Sequence, residues 1–342
     1  MIKWKWGVDE IMARDIGIDL GTANVLIYVK GRGIVLNEPS VVVVETETKK
    51  VIAVGKEANE MVGRTPENVK VIRPLKDGVI ADFELTEIML DTFIKKIKAR
   101  NLFTRPRILI CCPTNITQVE KNAIKEAAER MGARKVYIEE EPKVAAIGVG
   151  MDITKPMANM VLDIGGGTTD IAVLSLNGIV SSASVKVAGN SLNQDIIKYI
   201  REKYKLLIGE PTAEDIKINF ANVHKASKKE KMEVKGRNLL TGLPDSIDIN
   251  QEEIKEALKE GVNKIIKATK NVLEQTPPEL AADIVEKGVI LTGGGSLLTG
   301  LVDVMEDELT IPALIAESPL TCVAEGCGVL LNDRKRLEED QE

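Results

Sequence analysis

Met160-Val161-Leu162-Asp163-Ile164-Gly165-Gly166-Gly167-Thr168 carries an apolar strand into an aspartate, three consecutive glycines and a threonine. The same phrase occurs earlier as Ile16-Gly17-Ile18-Asp19-Leu20-Gly21-Thr22. Each copy runs on into a second apolar stretch, Val25 to Val29 and Ile171 to Leu176. Turns follow at Lys30-Gly31-Arg32-Gly33 and Asn177-Gly178, and each opens a third stretch with Ile-Val, at Ile34-Val35 and Ile179-Val180. Asp19 and Asp163 stand 144 positions apart with matched flanks, which predicts two similar domains facing each other. A third cluster, Gly293-Gly294-Gly295-Ser296, follows the strand Val289-Ile290-Leu291-Thr292 and leads into a predicted helix from Leu297.

These residue types suit a polyphosphate. Glycine lets the backbone turn tightly and bring consecutive N–H groups close to phosphate oxygens, and a threonine hydroxyl adds a donor. Two aspartates cannot hold phosphate themselves, because like charges repel. They make sense around a hydrated Mg2+, which keeps several waters and bridges to phosphate. Two facing loops of this kind make a clamp, and the third glycine cluster offers bare backbone to a flat ring or ribose.

Composition sets the bounds. The chain has 342 residues, 44% hydrophobic and 29% charged, as expected of a globular protein of about two domains. A net charge of −6, with four Phe, four Tyr and two Trp, argues against nucleic acid as a partner. No apolar run approaches the ~20 residues of a membrane span, and no signal-peptide core is present, so a cytoplasmic location is expected. Cys111, Cys112, Cys322 and Cys327 lack structural-zinc spacing and read as reduced packing residues. The single histidine, His224, lies in a polar region, which leaves little room for histidine catalysis.

Along the chain, strands and helices alternate, which predicts an α/β fold. A βββ unit over 16–44 precedes a small helical and turn-rich insertion that ends at Arg73-Pro74. A helix is predicted from Leu85 to Ala99, a strand at Arg107 to Cys112, and a capping box at Thr117-x-x-Glu120. A strand at Val136 to Ile138 leads through Glu139-Glu140-Glu141-Pro142 into a helix reaching Gly150. The second half repeats the scheme, with an insertion over roughly 190–250 that includes a second predicted capping box at Pro211-Thr212-Ala213-Glu214-Asp215. A long helix from about Glu252 to Gln275 turns Ile254, Leu258, Val262, Ile265 and Ile266 to one face as core.

Assembled, these stretches resemble the actin/Hsp70/sugar-kinase ATPase superfamily, and within it the MreB/Mbl bacterial actins. The matching phrases include Asp15 to Asn24, Leu36-Asn37-Glu38-Pro39-Ser40, Arg73 to Asp82, Cys112 to Thr117, Glu140 to Gly148, Thr276-Pro277-Pro278-Glu279-Leu280 and Leu291 to Gly295. The resemblance implies an actin-like ATPase fold, with two duplicated βββαβα domains and inserted small subdomains around a nucleotide cleft. It divides the chain into an N-terminal membrane-interacting segment at 1–14, subdomain IA at 15–40 and 75–154 (with 323–342 returning to it), IB at 41–74, IIA at 155–190 and 253–322, and IIB at 191–252.

Carried across by motif, the resemblance implies ATP and Mg2+ as cofactors. Asp19 and Asp163 would hold the ion through water, and Gly21, Thr22, Ala23, Asn24, Gly165, Gly166, Gly167 and Thr168 would surround the phosphates. Glu214 and Lys217 would face ribose and adenine, with Gly293, Gly294, Gly295 and Ser296 opposite. Glu141 would orient the attacking water, with Thr168 helping to hold it. A carboxylate at a strand-to-helix junction suits that service, since it can accept a hydrogen bond from water and aim it in line. Glu139 and Glu140 read instead as an acidic helix start favoured by the dipole.

The same likeness implies a polymerising ATPase whose antiparallel double filaments scaffold cell shape, with Val119 on the pairing helix. Paralogous family members and envelope-morphogenesis membrane proteins are implied partners. A small-molecule kinase of the same superfamily is the competing reading, though no insertion here is rich in polar pocket residues. An Hsp70-like chaperone would need a peptide-binding part that does not follow. A peripheral position on the inner face of the cell membrane is expected from residues 95–107, which hold six basic side chains and no acid around Leu102 and Phe103. Trp4 and Trp6 add interfacial side chains on a lysine-bearing segment, and an anionic membrane surface is the expected partner.

Overall fold

A computed structural model describes residues 15–97, 105–114, 116–333 and 337–338. Trp4, Trp6, Leu102 and Phe103, with the segment 1–14, lie outside the described residues.

The first half begins with β1 (Ile16–Leu20), β2 (Asn24–Val29) and β3 (Gly33–Pro39). After β4 (Val42–Glu45), β5 (Val51–Val54), α1 (Lys56–Glu60), β6 (Val69–Ile72), β7 (Leu75–Lys76) and β8 (Val79–Ile80) come α2 (Phe83–Lys96), β9 (Arg107–Cys112), α3 (Gln118–Arg130), β10 (Lys135–Glu140) and α4 (Glu141–Gly148). The second half runs β11 (Asn159–Ile164), β12 (Thr169–Ser175), β13 (Gly178–Val185), α5 (Gly189–Tyr204), β14 (Leu206–Leu207), α6 (Glu210–Asn219), β15 (Lys231–Asn238) and β16 (Pro244–Asn250). It closes with α7 (Gln251–Glu274), α8 (Pro278–Lys287), β17 (Val289–Thr292), α9 (Leu301–Leu309), β18 (Ala313–Ile315) and α10 (Cys322–Asn332).

Two five-stranded sheets carry the duplication. Their orders are β10-β9-β1-β2-β3 and β18-β17-β11-β12-β13. In each, the two strands around the glycine loop pair antiparallel, and the later strands add in parallel on the other side of the first. Parallel addition needs a crossover, which is why helices intervene there and hairpins suffice on the other side. β9 is buried along its whole length because layers cover both of its faces, and its sequence Arg-Ile-Leu-Ile-Cys-Cys is accordingly apolar after the first residue.

Helices α4 and α10 lie between the sheets. Val144 to Ile147 of α4 and Cys327, Leu330 and Leu331 of α10 share one apolar cluster with Leu109 and Tyr137 of the first sheet and Val161, Ala172 and Leu174 of the second. A Cβ on Gly326 would sit 2.1 Å from the Val144 carbonyl oxygen, so only glycine permits this helix crossing. All four cysteines are free and buried.

Local sequence rules hold in some places and fail in others. The Thr117 hydroxyl caps α3 and Glu120 reaches back to the Thr117 N–H, so the capping box forms. The second predicted box does not: α6 begins at Glu210 with Gly209 as its cap, and Thr212 lies inside the helix. Pro211, preset for a first turn, draws the start forward. The third stretch of the first unit does not reach residue 44. β3 stops at Pro39, and β4 joins a separate sheet ordered β5-β4-β6. The insertion read as helical and turn-rich is therefore mainly this sheet, built on Val41, Val43, Ala53 and Ala58. The helix predicted from Leu297 is only a 3-10 turn over Gly294–Leu297. The chain straightens at Leu298, and α9 starts after Gly300. The helix predicted to Ala99 stops at Lys96.

Candidate functional site

Both glycine loops end a central strand, and each is fastened from behind. The Ser40 hydroxyl donates to the Gly21 carbonyl at 2.6 Å, and the Ser40 N–H donates to Ala23 at 2.9 Å. On the other loop, Gly189 and Asn190 at the start of α5 donate to the carbonyls of Gly165 and Gly166, at 3.1 and 2.8 Å. In a planar trans peptide the N–H opposes the C=O, so the amides of Gly166 and Gly167 point away from α5. The loops also touch each other. A Cβ on Gly166 would stand 2.5 Å from that of Ala23, and one on Gly167 would stand 2.7 Å from the Thr22 side chain. Gly166 and Gly167 are the condition for this approach.

The loops form part of the wall of a cavity of about 830 Å3. Asp19, Gly21, Thr22, Ala23, Asn24, Glu141, Asp163, Gly165, Gly166, Gly167, Thr168, Glu214, Lys217, Gly293, Gly294 and Gly295 all line it. The structure thus brings together residues spread from position 19 to 295. Ser296 does not line the cavity: it is fully buried, and its hydroxyl donates to the Gly293 carbonyl at 2.6 Å. Val119 lies elsewhere, on α3, and is 76% exposed, so it is not a core residue.

Charge is unevenly distributed in the cavity. Burial, and then the neighbouring Asp163, push the Asp19 carboxyl up to about 7. Asp163 is likewise raised to about 7 by burial and then by Asp170, with a Thr292 hydrogen bond opposing. Burial pushes Glu141 well up as well, followed by the charges of Asp170, Asp19 and Asp163. By accessible surface Asp19 is only partly buried, because it opens onto the cavity, and solvent there moderates its shift. Glu141 opens α4 with Pro142 in its first turn, so the helix N-terminus partly offsets the burial of a carboxylate. Oxygen donors with surplus negative charge fit a hard cation. Among the described residues no group of three or more His, Cys, Asp or Glu could hold a metal. Asp19 and Asp163 on the cavity wall are donors that would suit a Mg2+ keeping its waters.

At the far end Glu214 is held by two donors, Asn193 Nδ2 at 2.5 Å and Lys217 Nζ at 2.9 Å. Lys217 also donates to the Gly189 carbonyl at 3.0 Å, tying α6 to α5 and to the second loop.

Sequence reasoning missed several residues here. Asp170 faces Asp163 across β11 and β12, and its Oδ1 accepts from the Thr114 N–H and hydroxyl at 3.2 and 2.8 Å. The Gly78 N–H, at the tip of the β7–β8 hairpin, donates to the Thr22 hydroxyl at 3.3 Å. Asn193 behind Glu214 is a third. Gly78 sits inside the phrase Arg73 to Asp82 and Asp170 falls just past the second loop, between Thr168 and Ile171, but nothing in their spacing pointed to these contacts.

Residues 13–339 match the family described as MreB/Mbl protein. The chain belongs to the MreB/Mbl family. Cell shape-determining protein Mbl of Bacillus subtilis (strain 168) is 60% identical over 327 residues, covering 96% of this chain and 98% of that protein. Cell shape-determining protein MreB of Escherichia coli (strain K12) is 51% identical, covering 94% of each. Among solved structures, MreB 5 of Spiroplasma citri bound to AMPPNP superposes with a TM-score of 0.91 at 41% identity, covering 96% of this chain and 99% of that one. The ADP-bound form of that MreB5 gives 0.90. The MamK double helical filament, at 22% identity and 0.79, shares the fold. The fold of this MreB/Mbl chain is the actin-like one.

Proposed function

We propose that this MreB/Mbl chain binds ATP with Mg2+ in the cleft, hydrolyses it, and polymerises into filaments that organise cell shape at the membrane. The observation that carries the reading is the contact between the two glycine loops beside Asp19, Asp163 and Glu141 on one cavity wall. AMPPNP and ADP in the related MreB5 support it.

In this reading Asp19 and Asp163 would hold a magnesium ion through its waters. The ion, when bound, neutralises phosphate charge. Glu141 accepts a hydrogen bond from the attacking water, and Thr168 holds that water from the opposite loop. The loop amides and Thr22 receive the phosphates, Glu214 and Lys217 the ribose and adenine. Asp170, fixed by Thr114, sets the charge around Glu141 and Asp163. The sheets β5-β4-β6 and β14-β15-β16 correspond to the small subdomains IB and IIB, and the two five-stranded sheets to IA and IIA.

Sedimentation tests the function. The parent pellets in ATP and releases phosphate without transferring it to sugars or acetate. A phosphorylated small molecule with no pelleting would replace the filament reading by a kinase. Among the described residues no helix is long and apolar enough to cross a membrane, so attachment is proposed through Leu102, Phe103 and the N-terminal Trp4 and Trp6. Anionic liposomes in the same assay carry the protein down, and Leu102→Ser with Phe103→Ser weakens this. Equal pelleting by the two at physiological salt removes the role of Leu102 and Phe103.

Pairing of filaments is proposed through α3. An apolar side chain as exposed as Val119 has no folding role to lose. Val119→Glu therefore leaves melting unchanged but yields single filaments, or none, by electron microscopy. Paired filaments of normal width would exclude the interface.

A further inference from the structure

Arg73 and Glu210 meet across the cavity. The guanidinium Nη2 donates to Glu210 Oε2 at 3.1 Å, and both residues line the wall. Arg73 sits between β6 and Pro74, at the edge of the β5-β4-β6 unit, while Glu210 opens α6, which packs against α5 and lies between β14 and β15 in the chain. Among the described residues this is the one hydrogen bond or ion pair that joins residues 41–74 to residues 191–252. It spans 137 positions of sequence and lies where the cavity wall meets solvent, with the Arg73 side chain 31% and the Glu210 side chain 45% exposed.

Both partners are held in advance. A residue before proline is confined to extended backbone, so Arg73 cannot swing with a helical turn. Glu210 lies in the first turn of α6, where the dipole favours a carboxylate, and its Oε1 accepts from Gln194 Nε2 of α5 at 3.3 Å. A pair fixed on both sides loses less side-chain entropy on forming than two free side chains do. It also has an obvious consequence: a nucleotide lying on the glycine loops cannot leave by this side until the pair parts.

We propose that Arg73 and Glu210 form a latch over the cleft that sets the rate of nucleotide release. This rests on the nucleotide reading above and adds a control to it. An exposed ion pair contributes about 0–1 kcal/mol, so the latch slows release by up to about five-fold and leaves the contacts at the loops to set affinity. Its attraction is screened by salt, since the Debye length is about 10 Å at 0.1 M.

The test is displacement of a fluorescent ATP analogue by excess unlabelled ATP, with Mg2+ present and protein too dilute to pellet. Arg73→Gln and Glu210→Gln release the analogue roughly two- to five-fold faster than the parent. The exchanged pair, Arg73→Glu with Glu210→Arg, returns to within about two-fold of the parent. Raising salt from low to high speeds release from the parent and leaves Arg73→Gln unaffected, an arm that does not depend on the exchanged pair folding. Parent-like release from both single variants, or equal salt dependence with and without Arg73, overturns the latch while the nucleotide reading stands. A parent that retains no analogue overturns the nucleotide reading, and the latch with it.

Discussion

Glu141→Ala retains ATP but releases phosphate about ten-fold or more slowly than the parent. Phosphoryl transfer asks little covalent chemistry of a protein; it asks that water be aimed and charge be met. Glu141 is placed for the aiming. It opens α4, lines the cavity that holds both glycine loops, and lies close enough to Asp19, Asp163 and Asp170 to feel their charge. It is not one of the groups proposed to hold the phosphates, so binding and hydrolysis separate in the variant. Removing a carboxyl whose burial opposes its charge also relieves the fold, which argues against a trivial loss through unfolding. Equilibrium binding of labelled ATP and single-turnover phosphate release, measured on the same sample, check both halves. Hydrolysis at the parental rate would return Glu141 to an ordinary helix start.

Asp19→Asn and Asp163→Asn each melt above the parent without nucleotide, yet gain little from added Mg2+ and ATP. The sign follows from the raised carboxyls. A carboxyl near 7 in the folded chain, against an ordinary value of 3.8, keeps its proton where the unfolded chain has lost it. Stability without nucleotide is therefore fullest below about pH 4 as far as these two groups go. It drains away as pH rises to about 7, and is level above that. For the coupled pair, with solvent reaching Asp19 through the cleft, the loss is roughly 2–4 kcal/mol. A hydrated cation held by the two carboxylates would offset it by placing positive charge beside them. Amide replacements remove both the penalty and the means of offsetting it. Thermal melts from pH 5 to 8, with and without Mg2+ and ATP, read both effects. If either amide variant melts below the nucleotide-free parent, or is stabilised by Mg2+ and ATP as strongly as the parent is, the ion is held elsewhere.

Much of the cavity was legible beforehand because its makers are local phrases. An apolar strand running into Asp and then glycine has few other uses, and finding it twice implied the duplication that the two sheets display. Glu141 could be placed because strand, acid and proline follow one another directly. Less could be said where partners are distant. Thr114 and Asp170 are 56 positions apart, Gly78 and Thr22 likewise, and each pair is joined by only one or two hydrogen bonds, which leave no period in the chain. The insertion at 41–74 was misread for a related reason. Its strands are only four residues long, too short for alternation to outweigh the turns between them.

By itself the sequence determined what is written in short-range pattern: the alternating α/β elements, the repeated loop chemistry, the acids at strand ends and the family that shares them. Tertiary structure alone decided which residues oppose each other. Burial between the two sheets brought Asp19, Asp163 and Glu141 near one another and raised all of their carboxyls, with the charge of Asp170 beside them. The α4–α10 crossing set where Glu141 stands, and packing of the small units placed Arg73 opposite Glu210. Local pattern follows from the preferences of neighbouring backbone and side chains. Opposition depends on how whole layers come to rest, a free energy summed over the core that no single stretch carries.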